Sequence, residues 1–335
     1  MADYLGLIKG TQLVEISNDF NYMRATENFV GLRLFPLFKT DNMKLAVVNL
    51  MDGADIPVMA FVHALDTEAK IGDRPNYNEI DFQLLLIKEK LNQGEELRKK
   101  MLELGMKAEE RTILQQIFND AANLISRVLT RMEVMACELL STGNVTVKEN
   151  GVDLTIDYHL PATHAHSFSG WSDPAHDIFG DISSVMDSSN DSIVRALIPK
   201  PLFGHIMKNE QLIEIAAKQG AIVTKDWATK YIDSTFGLDV YVTNKTYKKR
   251  ATDTQEHHFF KQDVITFLTT EGEVGKTFVT TPPEVDYGIA DRMEGYVAVT
   301  QYKSEDPAGI WTKASAIALP CPSNINSIYL ATVGE

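Results

Sequence analysis

Cysteine is nearly missing from these 335 residues: only Cys137 and Cys321 occur, far apart, and nothing at the N-terminus has the basic, apolar and small-residue order of a secretion signal. That argues against a disulfide-stapled extracellular fold and points to a reducing cytoplasm. Long apolar runs are missing as well. The longest, "IPVMAFV" and "LLLI", fall far short of the roughly 20 residues that span a bilayer, so no membrane partner is expected. Positive charge is in deficit, with 32 Lys and Arg against 46 Asp and Glu and a formal net charge of −14. As a whole such a chain repels phosphate backbones and anionic lipid, which argues against a DNA-reading role. There is no internal repeat, low-complexity tract or linker rich in Gly, Ser or Pro.

Recognisable catalytic patterns are equally scarce. No Gly-rich dinucleotide fingerprint, nucleophile elbow, HEXXH pair or ordered Ser/His/Asp set is present. Gly275-Lys276-Thr277 invites a phosphate-loop reading, but Thr270 stands where the motif needs glycine and "TFVTT" reads as strand, so a turn over 272–275 is expected. On a helical wheel Cys137 falls with Glu133, Thr130 and Ser126 on the polar side, near a helix C-terminus whose dipole opposes a thiolate. His159, His164, His166 and His176, with Asp173 and Asp177, match no known ligand spacing and read as a polar connector, as do His257 and His258. The basic run Lys245 to Arg250 reads as a solvated loop in an acidic chain. No catalytic residue, metal or cofactor is expected.

What the sequence does contain is a series of elements that cannot bury themselves alone. Residues 1–52 read as an irregular arm interrupted by Pro36. Strands are expected at 56–65 and 79–87, the second with Ile80, Phe82, Leu84 and Leu86 on one face, making a two-stranded ribbon about 30 Å long that needs a partner surface. A short helix over 93–104 comes next. Residues 108–142 then contain no Gly or Pro, carry Glu109 and Glu110 in the first turn, and stop at Gly143. Their apolar stripe, Leu114, Phe118, Ala121, Ile125, Val128, Met132, Met135 and Leu139, predicts one helix of roughly 50 Å laid across sheets. Asn150-Gly151 between "NVTVKE" and "VDLTID" predicts a type I′ hairpin. Residues 172–290 mix helical and strand patterns as an inserted α+β lobe, and the C-terminal segments "GYVAVTQY", "TKASAIAL" and "INSIYLATV" return to strand.

Several fragments together carry a resemblance: "LFP" at 34–36, "ADIPVMAFVHALDTEAKIGDRP", "ERTILQQ" leading into "RMEVMACELLSTG", "WSDPAHDI", and "DPAGIWTKASAIALPCPSNINSIYLATV". In this order the chain resembles the lambda-like capsid protein E family of tailed-bacteriophage major capsid proteins, over nearly its whole length. The resemblance implies an α+β, Hong Kong 97-like fold with an N-terminal arm (1–52), an extended β-ribbon loop (53–92), a peripheral domain (93–180) with its spine helix at 108–142, an axial domain (181–290), and peripheral return strands (291–335). It implies a non-enzymatic major capsid protein that self-assembles as hexamers and pentamers into an icosahedral head shell around double-stranded DNA held without specific binding. The expected location is the virion, after assembly in the host bacterial cytoplasm. A separate scaffolding protein and a portal are expected partners, since only about 50 residues precede the ribbon, and a decoration protein is an open one. Subunit contacts are expected from Ile56, Val58, Phe61, Lys70, Arg74, Tyr77, Phe82 and Leu84. The alternatives are an encapsulin-like nanocompartment shell and, from another class, a metal-dependent hydrolase built on residues 159–177.

Overall fold

Two periodicities dominate the chain, 3.6 residues in its middle and 2 on either side, and they become one long helix and two mixed sheets. The computed structural model describes residues 20–50, 77–93, 109–286, 296–305 and 308–334, leaving aside the side chains of 44–50, 77–81, 93, 109–119, 286, 305 and 308–309. The expected strand at 56–65, and all but the first residue of the expected helix at 93–104, lie outside the described residues. The chain forms two compact units: Met1–Leu45, Gln83–Ala136 and Lys276–Cys321 in the first, Ala46–Phe82, Cys137–Gly275 and Pro322–Glu335 in the second.

The N-terminal region is more ordered than an irregular arm. It holds helices α1 (Tyr22–Thr26) and α2 (Gly31–Leu34), then strands β1 (Leu37–Lys39) and β2 (Lys44–Leu50). Val30, Leu32, Leu34 and Phe35 are buried, so its apolar cluster is core of its own chain. Strand β2 pairs with β3 (Tyr77–Gln83), which places a ribbon strand inside the segment 1–52 that was expected to be arm. β4 (Leu85–Gln93) comes next, and it takes up Gln93, expected to open a helix.

The long helix α3 (Glu109–Thr142) has 34 residues. From Ala121 onward every member of its expected stripe is buried, but so are Leu124, Leu129, Ala136, Cys137 and Leu140. Burial therefore reaches well beyond one face, and Cys137, expected on the polar side, is fully buried. Gly143 ends the helix at φ +71°, a left-handed conformation that L side chains resist, while its N–H donates to the Leu139 carbonyl at 2.8 Å. Strands β5 (Asn144–Glu149) and β6 (Val152–Asp157) form the hairpin, with φ +51° at Asn150 and +81° at Gly151 as a type I′ turn demands.

The second unit continues with β7 (Ala165–Phe168), α4 (Ile178–Asp187), β8 (Arg195–Pro199), α5 (Lys200–Lys208), α6 (Glu210–Lys218), α7 (Lys225–Phe236), β9 (Asp239–Thr243), β10 (Thr246–Tyr247), β11 (His257–His258) and β12 (Val264–Leu268). The stretch "PLFGHIMKNEQLIEIAAKQ", residues 201–219, reads as helical by its pattern, but it is split at Asn209. This residue is fully buried, its backbone is extended, and its side-chain oxygen accepts from Gln211 N–H (3.1 Å) and Leu212 N–H (3.4 Å). Its amide nitrogen donates to the Pro174 and His176 carbonyls at 3.1 and 2.7 Å, so one polar side chain starts a helix and anchors the preceding loop.

Strands β13 (Gly275–Thr280), β14 (Ala298–Glu305), β15 (Ala308–Pro322) and β16 (Ile328–Val333), with α8 (Pro283–Asp286), complete the described elements. In the first unit the order is β1-β13-β15-β14, with β4 also pairing antiparallel to the 15-residue β15. Thr277 of β13 is fully buried and its hydroxyl donates to the Phe35 carbonyl at 2.9 Å, which accounts for the failed phosphate-loop motif: the threonine bonds backbone inside a strand. In the second unit the order is β7-β16-β12-β8-β9. One face carries Ile265, Phe267, Ala196, Ile198, Tyr329 and Ala331, in the same core cluster as Ile178, Ile182, Leu202, Phe203, Leu212 and Ile232 from α4 to α7. On the other face the Thr266 hydroxyl donates to the Leu140 carbonyl at 2.7 Å. All five residues of β12 are buried, the mark of a strand covered on both sides. β16, close to the end of the sequence, lies between β7 and β12 rather than at the sheet's edge.

In the first unit a buried carboxylate holds α2 in place. Glu133 of α3 is 2% exposed, and its two oxygens accept from Gly31 N–H at 2.9 Å and Leu32 N–H at 2.7 Å, two of the donors that the start of α2 leaves unpaired. Glu133→Ala is expected to cost about 3 kcal/mol, because both N–H groups then lose their acceptor in a dry site. Urea unfolding of the dissociated subunit checks this, and Glu133→Gln, which keeps one acceptor oxygen, is expected to lose less.

Candidate assembly surfaces

Among the residues expected to touch neighbours, Ile56, Val58, Phe61, Lys70 and Arg74 lie outside the described residues, and Tyr77 is placed only as the first residue of β3. Phe82 and Leu84 have described side chains. Each is 3% exposed within its own chain, Phe82 with its ring 4.8 Å from that of the fully buried Tyr158. The expected alternation breaks at Leu84, which stands between β3 and β4 and donates its N–H to the Met43 carbonyl at 3.1 Å. A residue outside both strands shifts the parity of the next strand, so Leu86, expected on the face of Phe82 and Leu84, is 45% exposed.

The exposed apolar groups lie elsewhere. In the first unit they are Met23, Phe38, Met43 and Leu86; in the second, Val152, Leu154, Ile213 and Ile222. Phe38 stands edge-on to Phe278 with the Lys276 ammonium 4.5 Å from its ring centre, and Lys90 lies 4.3 Å from the ring centre of Trp311. Across the hairpin, Val145 pairs with Ile156 at the base, where both are buried, and Val147 with Leu154 towards the turn, where Leu154 is exposed. The same apolar row is therefore finished at one end and uncovered at the other. No sequence pattern announced Ile213 or Ile222; they sit in or beside a helix whose other residues, Leu212 and Ala216, carry the core contact.

The histidine-rich segment is not a gathered site. His164 is buried, stacked on Tyr329 with ring centres 3.9 Å apart, and its Nδ1 lies 3.1 Å from the Ile328 carbonyl. His166 Nε2 is 3.1 Å from Ser188 Oγ, and burial together with the nearby His164 ring holds its imidazole below the usual value. His176 Nε2 and Trp171 Nε1 both reach Asp181 Oδ2, at 2.8 and 2.7 Å. His159 has φ +56° and pairs with Asp157. Four histidines serve four separate contacts, and among the described residues no three His, Cys, Asp or Glu side chains converge as a metal would require. Both cysteines are buried and neither forms a disulfide among the described residues, and burial pushes the Cys321 thiol up to about 12, far from a reactive thiolate.

One partly buried ion pair fastens α8 to β15. Glu284, 8% exposed, bonds Lys313 Nζ at 2.5 Å and the Ser315 hydroxyl at 3.0 Å. Burial alone would raise its pKa, but hydrogen bonds from Lys313, from its own backbone and from Ser315, with the lysine charge, hold the carboxyl below 4.5. A depressed carboxylate stabilises the fold above its unfolded value of 4.5 and loses that contribution as pH falls through the folded value. Glu284→Gln is expected to destabilise the subunit by roughly 2 kcal/mol at pH 7. Urea unfolding at pH 7 and at a pH well below 4.5 should show the gap from wild type closing in acid.

Comparisons with known proteins agree with this architecture. The family model for phage major capsid protein E matches residues 13–333. A prophage protein from E. coli CFT073 described as a capsid protein superposes with a TM-score of 0.65 at 15% identity, covering 98% of this chain and 99% of that one. A phage-related protein from Bordetella bronchiseptica RB50 gives 0.58 at 13% identity, covering 96% of each. The capsid of Myoviridae phage XM1 gives 0.50 at 11%, covering 98% of this chain and 99% of that one. None of the curated proteins compared with the chain matches it. With a family match running from residue 13 to 333 and capsid proteins sharing its α+β, Hong Kong 97-like fold, the chain belongs to the phage major capsid protein E family.

Proposed function

We propose that this major capsid protein builds an icosahedral head shell around double-stranded phage DNA by repeated self-association, without catalysing a reaction. The observation that carries the reading is the family match over residues 13–333, and the apolar side chains exposed on both units support it. Covering such surface with a neighbouring copy stabilises by roughly 25 cal/mol per Å², while a standard interface buries about 1,600 Å² in all. Assembly takes place in the host bacterial cytoplasm and ends in the virion. Residues 181–290 serve as the axial domain meeting its copies in pentamers and hexamers; residues 93–180, with the long helix, and the return strands of 291–335 serve as the peripheral part. Ile56, Val58, Phe61, Lys70, Arg74 and Tyr77 belong to the loop that lies on a neighbour. A separate scaffolding protein and a portal act as assembly partners, and a decoration protein on the finished surface is left open.

Electron microscopy of the expressed protein, alone and with the products of neighbouring genes, tests the reading: closed shells are expected, and a subunit that stays single under every condition contradicts it. Double-stranded DNA in particles purified from infected cells supports a phage head, whereas enclosed enzymes would support a nanocompartment. Stoichiometric zinc or manganese that is lost on His164→Ala or His166→Ala would instead revive the hydrolase. Removing residues 67–77 is expected to leave a soluble, folded subunit that no longer closes shells, and normal particles from that deletion would remove the role given to the ribbon.

A further inference from the structure

The short ribbon of β10 and β11 carries charge opposite to that of the chain. Between residues 244 and 262 stand Lys245, Lys248, Lys249, Arg250 and Lys261, against only Asp253 and Glu256, in a protein whose formal net charge is −14. Lys248, Lys249, Arg250 and Lys261 are all exposed, and among the described residues none of the four side chains enters an ion pair. The two acids are turned to other work. Asp253 accepts from the Arg250 backbone N–H at 2.9 Å, and Glu256 accepts from the Thr246 hydroxyl at 2.8 Å.

The segment is also held in shape. Thr246 pairs with His258 and Tyr247 with His257, Phe259 N–H donates to the Lys245 carbonyl at 3.1 Å, and Asp253 N–H donates back to the Arg250 carbonyl at 3.1 Å. The Tyr247 ring packs 5.6 Å from His257 and 5.1 Å from Phe259, centre to centre, so the aromatic groups brace the ribbon from within. This is a fixed turn that presents three consecutive cations, which a merely solvated run would not need. No large apolar side chain of this segment is exposed. A contact made here is therefore electrostatic and has no hydrophobic anchor of the kind a peptide partner usually supplies.

We propose that the turn bearing Lys248, Lys249 and Arg250 is a weak, sequence-independent contact for the phosphates of duplex DNA. The inference rests on the reading of the protein as a DNA-enclosing shell and adds to it where the packaged polymer is touched. Duplex DNA offers one negative charge per about 1.7 Å of axis, so three cations on a turn find phosphates at any register. One copy binds feebly, and the acidic body around the turn keeps it so. A shell repeats the turn many times, and linked weak contacts add through effective concentration without halting a polymer that must slide inward.

The test is fluorescence anisotropy of a labelled duplex of mixed sequence with the purified full-length protein, as wild type and as Lys248→Gln, Lys249→Gln, Arg250→Gln combined. Three phosphate contacts give a logarithmic salt slope near −2.7, so wild-type affinity should fall about 40-fold from 50 to 200 mM salt. The triple variant should bind at least tenfold more weakly at 50 mM, with a slope nearer zero by about 2.7. If the triple variant is misfolded by circular dichroism, Lys249→Gln alone replaces it, with an expected slope change of about 0.9. Absence of wild-type binding at 50 mM salt, an unchanged slope in the variant, or displacement by polyglutamate at lower charge concentration than by unlabelled duplex overturns the proposal. Particle formation, scored separately by electron microscopy, is expected to be the same in wild type and variant. Loss of wild-type particles would count against the shell reading alone.

Discussion

Glu133 of the long helix stands almost sealed from water, and a carboxylate so placed requires hydrogen-bond donors, two of which are the backbone N–H groups of Gly31 and Leu32. That requirement brings residues a hundred positions apart into contact. Once α2 is held, Phe35 is buried, its carbonyl accepts the Thr277 hydroxyl, and β1 runs parallel to β13 in register Leu37 with Thr277. The N-terminal strand thus covers one edge of the first unit's sheet, an edge that would otherwise offer unpaired backbone to any passing chain. Further along the same helix the Leu140 carbonyl takes the Thr266 hydroxyl, within the second unit. The last turns of one long element are therefore tied by buried polar bonds, and those bonds, being directional, fix which residues meet rather than merely that apolar surfaces are hidden.

Local rules written in the sequence were legible where local physics decides. Asn150-Gly151 makes the turn it should because two successive residues need positive φ. Gly143 stops the long helix for the same reason, and the apolar stripe from Ala121 to Leu139 faces core throughout. Tertiary competition hid the rest. Cys137 reads as polar-side because a wheel assumes one buried face, and the last turns of α3 are covered on more than one. The helical pattern over 201–219 gives no warning that Asn209 will turn its side chain inward and divide it, since the acceptors that reward the break, the Pro174 and His176 carbonyls, belong to a loop more than thirty residues earlier. The parity slip at Leu84 depends on Met43. Of the expected contact residues only Phe82 and Leu84 have described side chains, and both serve their own chain's core, because alternation reports burial without saying whose surface does the burying.

A protein meant to be covered by copies of itself faces conflicting demands on its surface. Apolar groups such as Leu86, Leu154 and Ile222 favour contact, while a strong excess of acid disfavours indiscriminate association. The conflict eases if the apolar groups are few, scattered over both units and useful only together, so that no single pair of patches holds two copies in the wrong orientation. Partly buried pairs such as Glu284 with Lys313 act differently, since they stiffen a unit internally and their strength is set before any neighbour arrives.

The order of strands in the second sheet carries a consequence for how copies are made. β16 lies between β7 and β12, yet the ribosome delivers both flanking strands well before Ile328–Val333. Until that segment emerges, the sheet has a central slot with two open backbone edges, and His164 lacks both the Tyr329 ring it stacks on and the Ile328 carbonyl beside its Nδ1. The unit closes only when its middle strand is inserted, after both of its neighbours have been made. Chains growing side by side on one messenger thus carry an open sheet until this segment has been made, however early the strands beside it have formed.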